Sequence, residues 1–207
     1  MVAQRIKKWL IIVMCIIAAT LAVRVWWLEV FRVPTESMLP TLSVGDLLLV
    51  NKIAFGPPWK NDKDLPKRGD VVVFPHPQTH TLYVKRVIAF PGDEVMVLGE
   101  KIWVNGVPFD TIENTMQFNS PSLEGKTTKT EQRLLSNGRT YRTVSSEDGM
   151  TGWRMSGYWV VPPQQIFVMG DARDHSSDSR EWGSVPIKSV IGKVLCSWGD
   201  GFKGCNF

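Results

Sequence analysis

The chain of 207 residues contains only three histidines and three cysteines, and its net charge is only +4. Its basic residues are scattered rather than clustered, so the sequence does not predict a nucleic-acid partner. Cys15 lies in an apolar N-terminal run, while Cys196 and Cys205 lie near each other close to the C-terminus. Their spacing suits no metal site, although a pair this close could form a disulfide in an oxidising compartment.

The three histidines are poor candidates for a catalytic base or a zinc site. His76 and His80 occupy a connector next to proline and threonine, which indicates solvated loop residues, and His175 lies among polar loop residues. Their number would permit zinc, yet no carboxylate or cysteine spacing supports a site, so no metal is expected. A serine-based enzyme would therefore need another base.

After residue 42 the sequence lacks long segments with helical periodicity and lacks internal repeats. Short apolar runs bounded by Gly, Pro, Asn and Asp predict strands instead. These runs cover 47–50, 71–74, 81–90, 94–98, 101–104, 159–161, 165–169 and 190–198. The sequence therefore predicts a mainly β fold, with one twisted multi-sheet domain formed by 32–109 and 159–207.

The segment 110–158 differs from the rest because it is polar and rich in Thr, Ser and Gly. Its dipeptide Asn137-Gly138 is a strong turn signal, since both residues tolerate positive φ. We expect an inserted β ribbon or small β-rich subdomain here, with mobile loops at 119–130 and 145–151. Another loop is expected around the charged run at 60–64.

The N-terminal segment contains the longest hydrophobic run. Residues 9–23 carry no charge and would form about 22 Å of helix, and apolar residues up to Phe31 extend it toward the ~30 Å of a membrane core. Arg5, Lys7 and Lys8 precede the run, which predicts a cytoplasmic N-terminus. We expect residues 1–31 to be an uncleaved, single-pass transmembrane anchor in contact with membrane lipid. A cleaved secretory signal is the alternative, although no clear A-x-A site follows the run.

Ser37 lies between Pro34 and Pro40, directly after this anchor. Proline fixes its own φ and disfavours helix in the residue before it, so Ser37 is expected on a stiff, non-helical turn. Such a turn could present a serine nucleophile to a cleft, or it could be a linker.

Lys85 is the candidate base for that serine. Side chains alternate across a strand, so Lys85 and Arg86 point to opposite faces, and their apolar neighbours require at least one of them to be buried. Arginine stays charged and needs a partner, whereas lysine can lose its proton. A lysine with its usual pKa of about 10.4 is neutral in about 0.04% of molecules at pH 7, and burial raises that fraction about tenfold per unit of pKa. The alternative is a Lys85 that reaches solvent at the sheet edge.

A charged segment, GDARDHSSDSREWG, occupies 170–183 directly after an apolar run. A solvated loop or a calcium loop is one interpretation, but Arg173 and Arg180 would oppose a bound cation. Opposite charges this close favour internal pairing and a rigid, hydrogen-bonded loop. Such a loop could support a catalytic lysine.

Taken together, these segments resemble the type I signal peptidases (leader peptidases), membrane-anchored serine proteases with a Ser/Lys dyad. The resemblance lies in five segments in matching order: PTESMLPTL at 34–42, GDLLLVNK at 45–52, RGDVVVF at 68–74, VKRVIAFPGD at 84–93, and GDARDHS at 170–176 with Asp178, Ser179, Arg180 and Gly183. It implies that Ser37 is the nucleophile and Lys85 the general base, with no cofactor. It also implies cleavage of exported preproteins after small residues of the A-x-A type, on the extracytoplasmic side of the bacterial inner membrane.

The resemblance implies supporting roles as well. The Ser37 N–H and the Thr35 hydroxyl would form an oxyanion hole, and Thr35 stands where relatives often carry serine. Ser176 would hydrogen-bond the Lys85 amine, and the loop would be braced by Asp171, Asp178 and Arg180. Ala172 stands where asparagine is frequent, from which we expect a structural rather than a catalytic effect.

Two alternatives remain open from the sequence. One is a dedicated processing peptidase of a pilin or conjugation system with the same dyad. The other is a non-catalytic, membrane-tethered assembly domain.

Overall fold

The structure, a computed structural model, describes residues 2–55, 65–118, 128–146, 156–199 and 201–205. Helix α1 (Val2–Trp26) precedes a chain composed mainly of strands, as the sequence predicts. The strands are β1 (Leu28–Arg32), β2 (Leu47–Asn51), β3 (Val71–Pro75), β4 (Leu82–Ala89), β5 (Glu94–Leu98), β6 (Lys101–Val104), β7 (Val107–Pro108), β8 (Asp110–Phe118), β9 (Thr128–Leu135), β10 (Thr140–Ser146), β11 (Gly157–Val160), β12 (Gln165–Met169), β13 (Val185–Pro186), β14 (Gly192–Gly199) and β15 (Gly201–Cys205). A short helix, α2 (Ser179–Trp182), lies between β12 and β13, and 3₁₀ turns occur at Glu36–Met38 and Ile187–Ser189.

The largest sheet has eight strands in the order β1-β2-β14-β3-β4-β12-β13, with β15 also paired to β14. Neighbouring strands are antiparallel. Strand β3 begins with Val71-Val72-Val73-Phe74 and is buried on both faces, as a continuous run of apolar residues predicts. The adjacent strand β4 carries Lys85 and Arg86 in the interior of the sheet.

Two smaller sheets contain the remaining described strands. In the first, β11-β5-β6-β7, the predicted strands 94–98 and 101–104 pair as a hairpin. Asn105 and Gly106 follow with positive φ, as a tight turn requires. The second, β10-β9-β8, lies within the polar segment 110–158 and is called the β8–β10 sheet below. The proposed domain boundaries, including those of an inserted subdomain, stay a prediction.

The two loops predicted at 119–130 and 145–151 overlap in part with described strands. Residues 128–130 and 145–146 belong to strands β9 and β10 rather than to loops. The rest of the two loops expected in 110–158, and the loop around 60–64, lie outside the described residues.

Helix α1 ends at Trp26, so the prediction that the helix continues to Phe31 is wrong. Residues Leu28–Arg32 form β1, which pairs with β2 so that Val30 faces Leu49. Residues of the β-branched and aromatic kinds, such as Val30 and Phe31, favour a strand where a partner strand is available. In the part of the chain that the structure describes, no helix combines the length and the apolar character needed to cross a membrane. The transmembrane anchor stays a prediction.

The two faces of β3 pack into different apolar clusters. Val71 and Val73 join a cluster that also contains Met38 and Leu42, from the turn around Ser37. On the other face, Val72 joins a separate cluster with residues of β4, β12 and β13. Because Met38 and Leu42 are core residues, the turn between them is fixed to the main sheet.

Strand β15, which the sequence pattern did not predict, forms a hairpin with β14. Cys196 and Cys205 face each other across this hairpin and form a disulfide. The pairing that the sequence left open is therefore present in the structure.

Candidate active site

Ser37 lies in a 3₁₀ turn in the connection between β1 and β2, two neighbouring strands of the main sheet. Thr35 has an extended backbone, with φ −137° and ψ 161°, and Glu36–Met38 form the turn that follows. Only 7% of Ser37 is exposed. Its carbonyl accepts a 3.1 Å hydrogen bond from the Ala172 N–H, which ties the turn to the charged segment 170–183. A turn is present here as predicted from the two prolines, but it is a single turn of 3₁₀ helix rather than non-helical.

Strand β4 brings the Lys85 amine to this turn. Lys85 Nζ donates a 2.5 Å hydrogen bond to Ser37 Oγ, and only 1% of Lys85 is exposed, so the alternative of a solvent-exposed amine is wrong. Burial lowers the pKa of Lys85 from 10.5 to about 8, although the negative charges of Asp178 and Asp171 oppose this by raising the pKa. With that pKa, about a tenth of the amines is neutral at pH 7. The arrangement can therefore transfer the Ser37 proton to Lys85.

Arg86 points to the opposite face of β4, as strand alternation predicts, and is buried there. Its Nε and Nη2 donate to the two carboxylate oxygens of Asp171, at 2.8 and 2.6 Å, and its Nη1 donates to the Gly69 carbonyl at 2.7 Å. The Tyr141 ring packs against the guanidinium, with 4.4 Å between the ring centroid and Cζ. Thr41 Oγ1 donates to the same carboxylate at 2.5 Å. The buried arginine thus has the partner that its permanent charge requires.

Internal pairing, predicted for segment 170–183, centres on Asp178 and Arg180. Arg180 donates from Nε and Nη2 to Asp178 at 2.8 Å, and from Nη2 to the Arg173 carbonyl at 2.8 Å. Burial alone would raise the pKa of Asp178, but Arg180 and the Gly170 N–H, 2.9 Å away, outweigh it and hold that pKa below its usual value. The segment is a rigid, hydrogen-bonded loop, from which Asp171 reaches out to Arg86.

The two hydroxyl groups expected beside the Ser37–Lys85 pair differ in their contacts. Thr35 Oγ1 lies 3.1 Å from Ser37 Oγ. Ser176 is buried near the Asp178 carboxylate, and among the described residues its hydroxyl makes no hydrogen bond of ordinary geometry. The expected hydrogen bond from Ser176 to Lys85 is therefore absent among the described residues, and Ser176 instead helps to lower the pKa of Asp178.

Comparison with known proteins identifies the family. The sequence profile described as "Signal peptidase, peptidase S26" matches residues 6–198. Signal peptidase I of Pseudomonas aeruginosa is 34% identical over 196 residues, covering 86% of this chain and 67% of the relative. The chain belongs to the signal peptidase family, peptidase S26.

Membership of this family makes the protein a serine peptidase, a hydrolase. Signal peptidase I of Aquifex aeolicus, another relative, is 31% identical over 91% of this chain and 82% of its own length. A crystal structure of a signal peptidase I from Enterococcus faecalis is 24% identical, with a TM-score of 0.37, and the alignment covers 62% of this chain and 95% of that one.

Sequence reasoning missed several residues of this peptidase's site. Asp171 was expected to brace the loop, but no spacing indicated it as the acidic partner that Arg86 needs, because the two residues lie 85 positions apart. Tyr141 comes from the segment 110–158, in which no motif could be named. Thr41 lies inside the motif around Ser37, yet its hydroxyl serves Asp171 rather than the serine.

The interpretation of His76 as a solvated loop residue is wrong, although His80 is exposed as expected. The His76 ring is buried, with its centroid 4.9 Å from that of Tyr83 and 5.1 Å from that of Trp182. The aromatic side chains of β4 and α2 cover the His76 ring, which the local polar sequence did not reveal.

Gly170 is the point at which the loop and the Ser37 turn come closest. A methyl group at this position would lie 2.4 Å from the Ser37 carbonyl oxygen and 2.2 Å from Ser176 Oγ. We predict that Gly170→Ala lowers kcat/KM of the peptidase by about 10²-fold, because a displacement on the order of 1 Å of a reacting group has an effect of that size. Peptide cleavage and thermal unfolding of the purified variant measure the effect.

Two variants serve as controls for this substitution. Gly183→Ala, in the same loop, meets nothing within 4 Å and should retain far more activity despite its positive φ. The double variant Gly170→Ala/Ser176→Gly relieves the contact with the serine side chain but not the one with the Ser37 carbonyl. It should stay impaired, and full recovery would contradict the proposed closeness of loop and turn.

Proposed function

We propose that this serine peptidase removes the N-terminal signal peptides of exported preproteins, with Ser37 as the nucleophile and Lys85 as the general base. The observation that carries the proposal is the 2.5 Å hydrogen bond between Lys85 Nζ and Ser37 Oγ in buried surroundings. The relatives from Pseudomonas aeruginosa and Aquifex aeolicus, both named signal peptidase I, support the substrate class.

The proposed reaction has two stages with balanced proton transfers. Neutral Lys85 accepts the Ser37 proton while Ser37 Oγ attacks the scissile carbonyl, and the resulting ammonium protonates the leaving amine as the C–N bond breaks. Lys85 then takes a proton from water, whose oxygen attacks the acyl ester, and returns it to Ser37 Oγ. The peptide acid is released and the enzyme is restored, and no step requires a cofactor.

An oxyanion hole at this site would be formed by the Ser37 N–H and the Thr35 hydroxyl. Ser37 lies in the first turn of a 3₁₀ helix, where backbone N–H groups have no partner within the helix. Thr35 Oγ1 lies 3.1 Å from the nucleophilic oxygen, and from there its hydroxyl would donate to the carbonyl oxygen of a bound substrate as that oxygen develops negative charge. Of the supporting residues, Asp171, Asp178 and Arg180 fix the loop around this site, and Ser176 lies beside the Asp178 carboxylate, whose pKa it helps to lower.

We propose further that α1 anchors the enzyme in the bacterial inner membrane, with the N-terminus in the cytoplasm and the catalytic domain outside. The support is the exposure of its apolar side chains, namely Trp9, Leu10, Ile11, Ile12, Val13, Met14, Ile16 and Ile17. Basic residues precede them. A membrane location would hold the serine close to substrates whose signal segments occupy the same bilayer. Cleavage after small residues of the A-x-A type is the specificity we expect.

The dyad predicts complete loss of cleavage in either Ser37→Ala or Lys85→Met, measured on an A-x-A preprotein in detergent. In the wild type, kcat/KM should rise about tenfold per pH unit below about pH 8 and level off above it, because burial lowers the pKa of Lys85 to about 8. Retained activity in either variant would exclude the dyad. A panel of preproteins also separates a general enzyme from a dedicated one, which would cleave a single member.

Lys85→Met should also be more stable than the wild type at pH 7, by about 1–3 kcal/mol in the free energy of unfolding, because it removes a buried amine. The native state, with the lowered pKa of Lys85, binds fewer protons than the unfolded state between about pH 8 and 10.5. Wild-type stability should therefore rise with pH across that window, and this contribution should be missing from Lys85→Met. Equal pH dependence in both proteins would argue against a native lysine with a lowered pKa.

The oxyanion role of Thr35 predicts different effects of two conservative changes. Thr35→Val keeps the shape but removes the hydroxyl, so kcat should fall by about 10²-fold. Thr35→Ser keeps the hydroxyl and should stay within a few-fold of the wild type. Steady-state kinetics on the same preprotein decide the point, and a fully active valine variant would remove Thr35 from the hole.

The membrane proposal predicts that Ile12→Lys/Ile16→Lys loses flotation with liposomes, because each lysine at the centre of a span costs about 3 kcal/mol. The variant should still cleave a short soluble peptide. Gln4→Lys adds charge outside the apolar run and should float like the wild type. Flotation of the double-lysine variant would contradict an anchor formed by this run.

A further inference from the structure

The β8–β10 sheet makes direct backbone contact with the active-site loop. The Val144 N–H donates to the Asp171 carbonyl at 3.0 Å, and the Arg173 N–H donates to the Val144 carbonyl at 2.9 Å. Val144 and Ala172 also pack with Leu39, next to the Ser37 turn, in a small buried cluster. Strand β10 is thus fixed to the residues that follow Gly170.

Tyr141, on the same strand, extends this contact to Arg86. Its ring lies against the Arg86 guanidinium, 4.4 Å from Cζ to the centroid, and the residue is buried. The Tyr141 hydroxyl donates to Asp110 and accepts from Arg173 Nη2 at 2.7 Å. Asp110 also accepts from Arg133 Nη1 at 2.9 Å. These bonds at the far end of the ring leave it no freedom to turn away from Arg86.

Arg86 is paired with Asp171, and Asp171 is one of the two carboxylates whose negative charge raises the pKa of Lys85. The charged and aromatic groups facing the Lys85 amine are Asp171 and Asp178, Arg180, and the ring of Tyr83. Arg180 is bound to Asp178 within the loop itself. Asp171 forms its ion pair with Arg86 from β4, while the charge of Arg173 in the loop acts on it without such a pair. The protonation of Lys85 is therefore sensitive to how closely Arg86 is held against Asp171.

We propose that Tyr141 is a positioning residue of the active site, which holds the Arg86 guanidinium in two-bond contact with Asp171 so that the Asp171 charge does not act unbalanced on the Lys85 amine. The inference rests on the proposed function only in taking Lys85 as the base. It gives the segment 110–158 a part in the proton transfer although no residue of that segment touches the reacting atoms.

The first experiment titrates Lys85 directly, in the full chain carrying Ser37→Ala, by the ¹³Cε NMR signal of lysine, assigned by its loss in Lys85→Met. Tyr141→Leu removes the ring and should move the titration midpoint up by about half to one pH unit, a part of the 1–3 units that a close charge exerts. Tyr141→Phe keeps the ring but loses the hydroxyl bonds that orient it, so it should move the midpoint clearly less than Tyr141→Leu does. Asp110→Asn keeps an acceptor oxygen for the hydroxyl, so it should lower stability with little movement of the midpoint.

An unchanged or lower midpoint in Tyr141→Leu would overturn the proposal, and so would an equal shift in Tyr141→Phe. If Tyr141→Leu does not fold, as judged by circular dichroism, Tyr141→Met, whose unbranched side chain adapts better to an irregular space, is titrated in its place by the same criteria. The titration uses an inactive variant, so it tests the role of Tyr141 independently of whether the chain cleaves preproteins.

The second experiment follows kcat/KM against pH in the active enzyme. Tyr141→Leu should shift the acid limb upward by the same amount, so that the rate at pH 7 falls about three- to tenfold while the alkaline plateau is kept. Tyr141→Phe, which keeps the ring but not its hydroxyl bonds, should lie between the wild type and Tyr141→Leu. A uniform fall at every pH would show a merely structural role and would overturn the inference. Absence of any acid limb in the wild type would count against Lys85 as the base, and the NMR titration would still decide the role of Tyr141.

Discussion

A buried lysine amine, 2.5 Å from a serine hydroxyl, sets the requirements for the rest of this site. Burial disfavours the charged amine and so makes a proton acceptor of it, but any carboxylate nearby acts in the opposite direction. The fold nevertheless places two buried carboxylates, Asp171 and Asp178, close enough to raise the pKa of Lys85. Each is bound to an arginine that is itself buried, and this pairing limits their effect on the amine. The lysine and the two ion pairs are therefore one electrostatic unit.

The second requirement is that the serine turn and the loop carrying the acids keep a fixed distance. The turn is fixed to the main sheet by Met38 and Leu42, which pack into its apolar core. The loop is joined to it by the hydrogen bond from the Ala172 N–H to the Ser37 carbonyl. Gly170 allows this approach because it has no side chain to separate the two backbones. A site of this kind depends on backbone contact, which explains why alanine at 172 is compatible with it.

The parts of this structure that could be predicted from sequence are those set by local periodicity and turn chemistry. The hairpin of 94–98 and 101–104, and the opposite directions of Lys85 and Arg86, follow from strand alternation alone. The end of α1 at Trp26 could not be predicted, because it depends on the availability of β2 as a partner for the next residues. The pairing of Arg86 with Asp171, and the burial of His76, likewise depend on elements far apart in sequence.

The buried ion pairs of the β8–β10 sheet fix the position of Tyr141. Arg133 is buried there between Asp110 and Glu131. Removing such charges from water costs several kcal/mol per ion, so apolar side chains in the same place would stabilise the contact more. Hydrogen bonds and ion pairs are directional, however, and so favour one register of the paired strands and one rotamer of each side chain. Apolar contacts allow the strands to shift against each other. Tyr141 receives its orientation from this network through Asp110 and Arg173. We infer that the β8–β10 sheet is less stable than one with an apolar interior, but holds Tyr141 in a defined position relative to Arg86. A small displacement of Arg86 would change the balance of charges around Lys85.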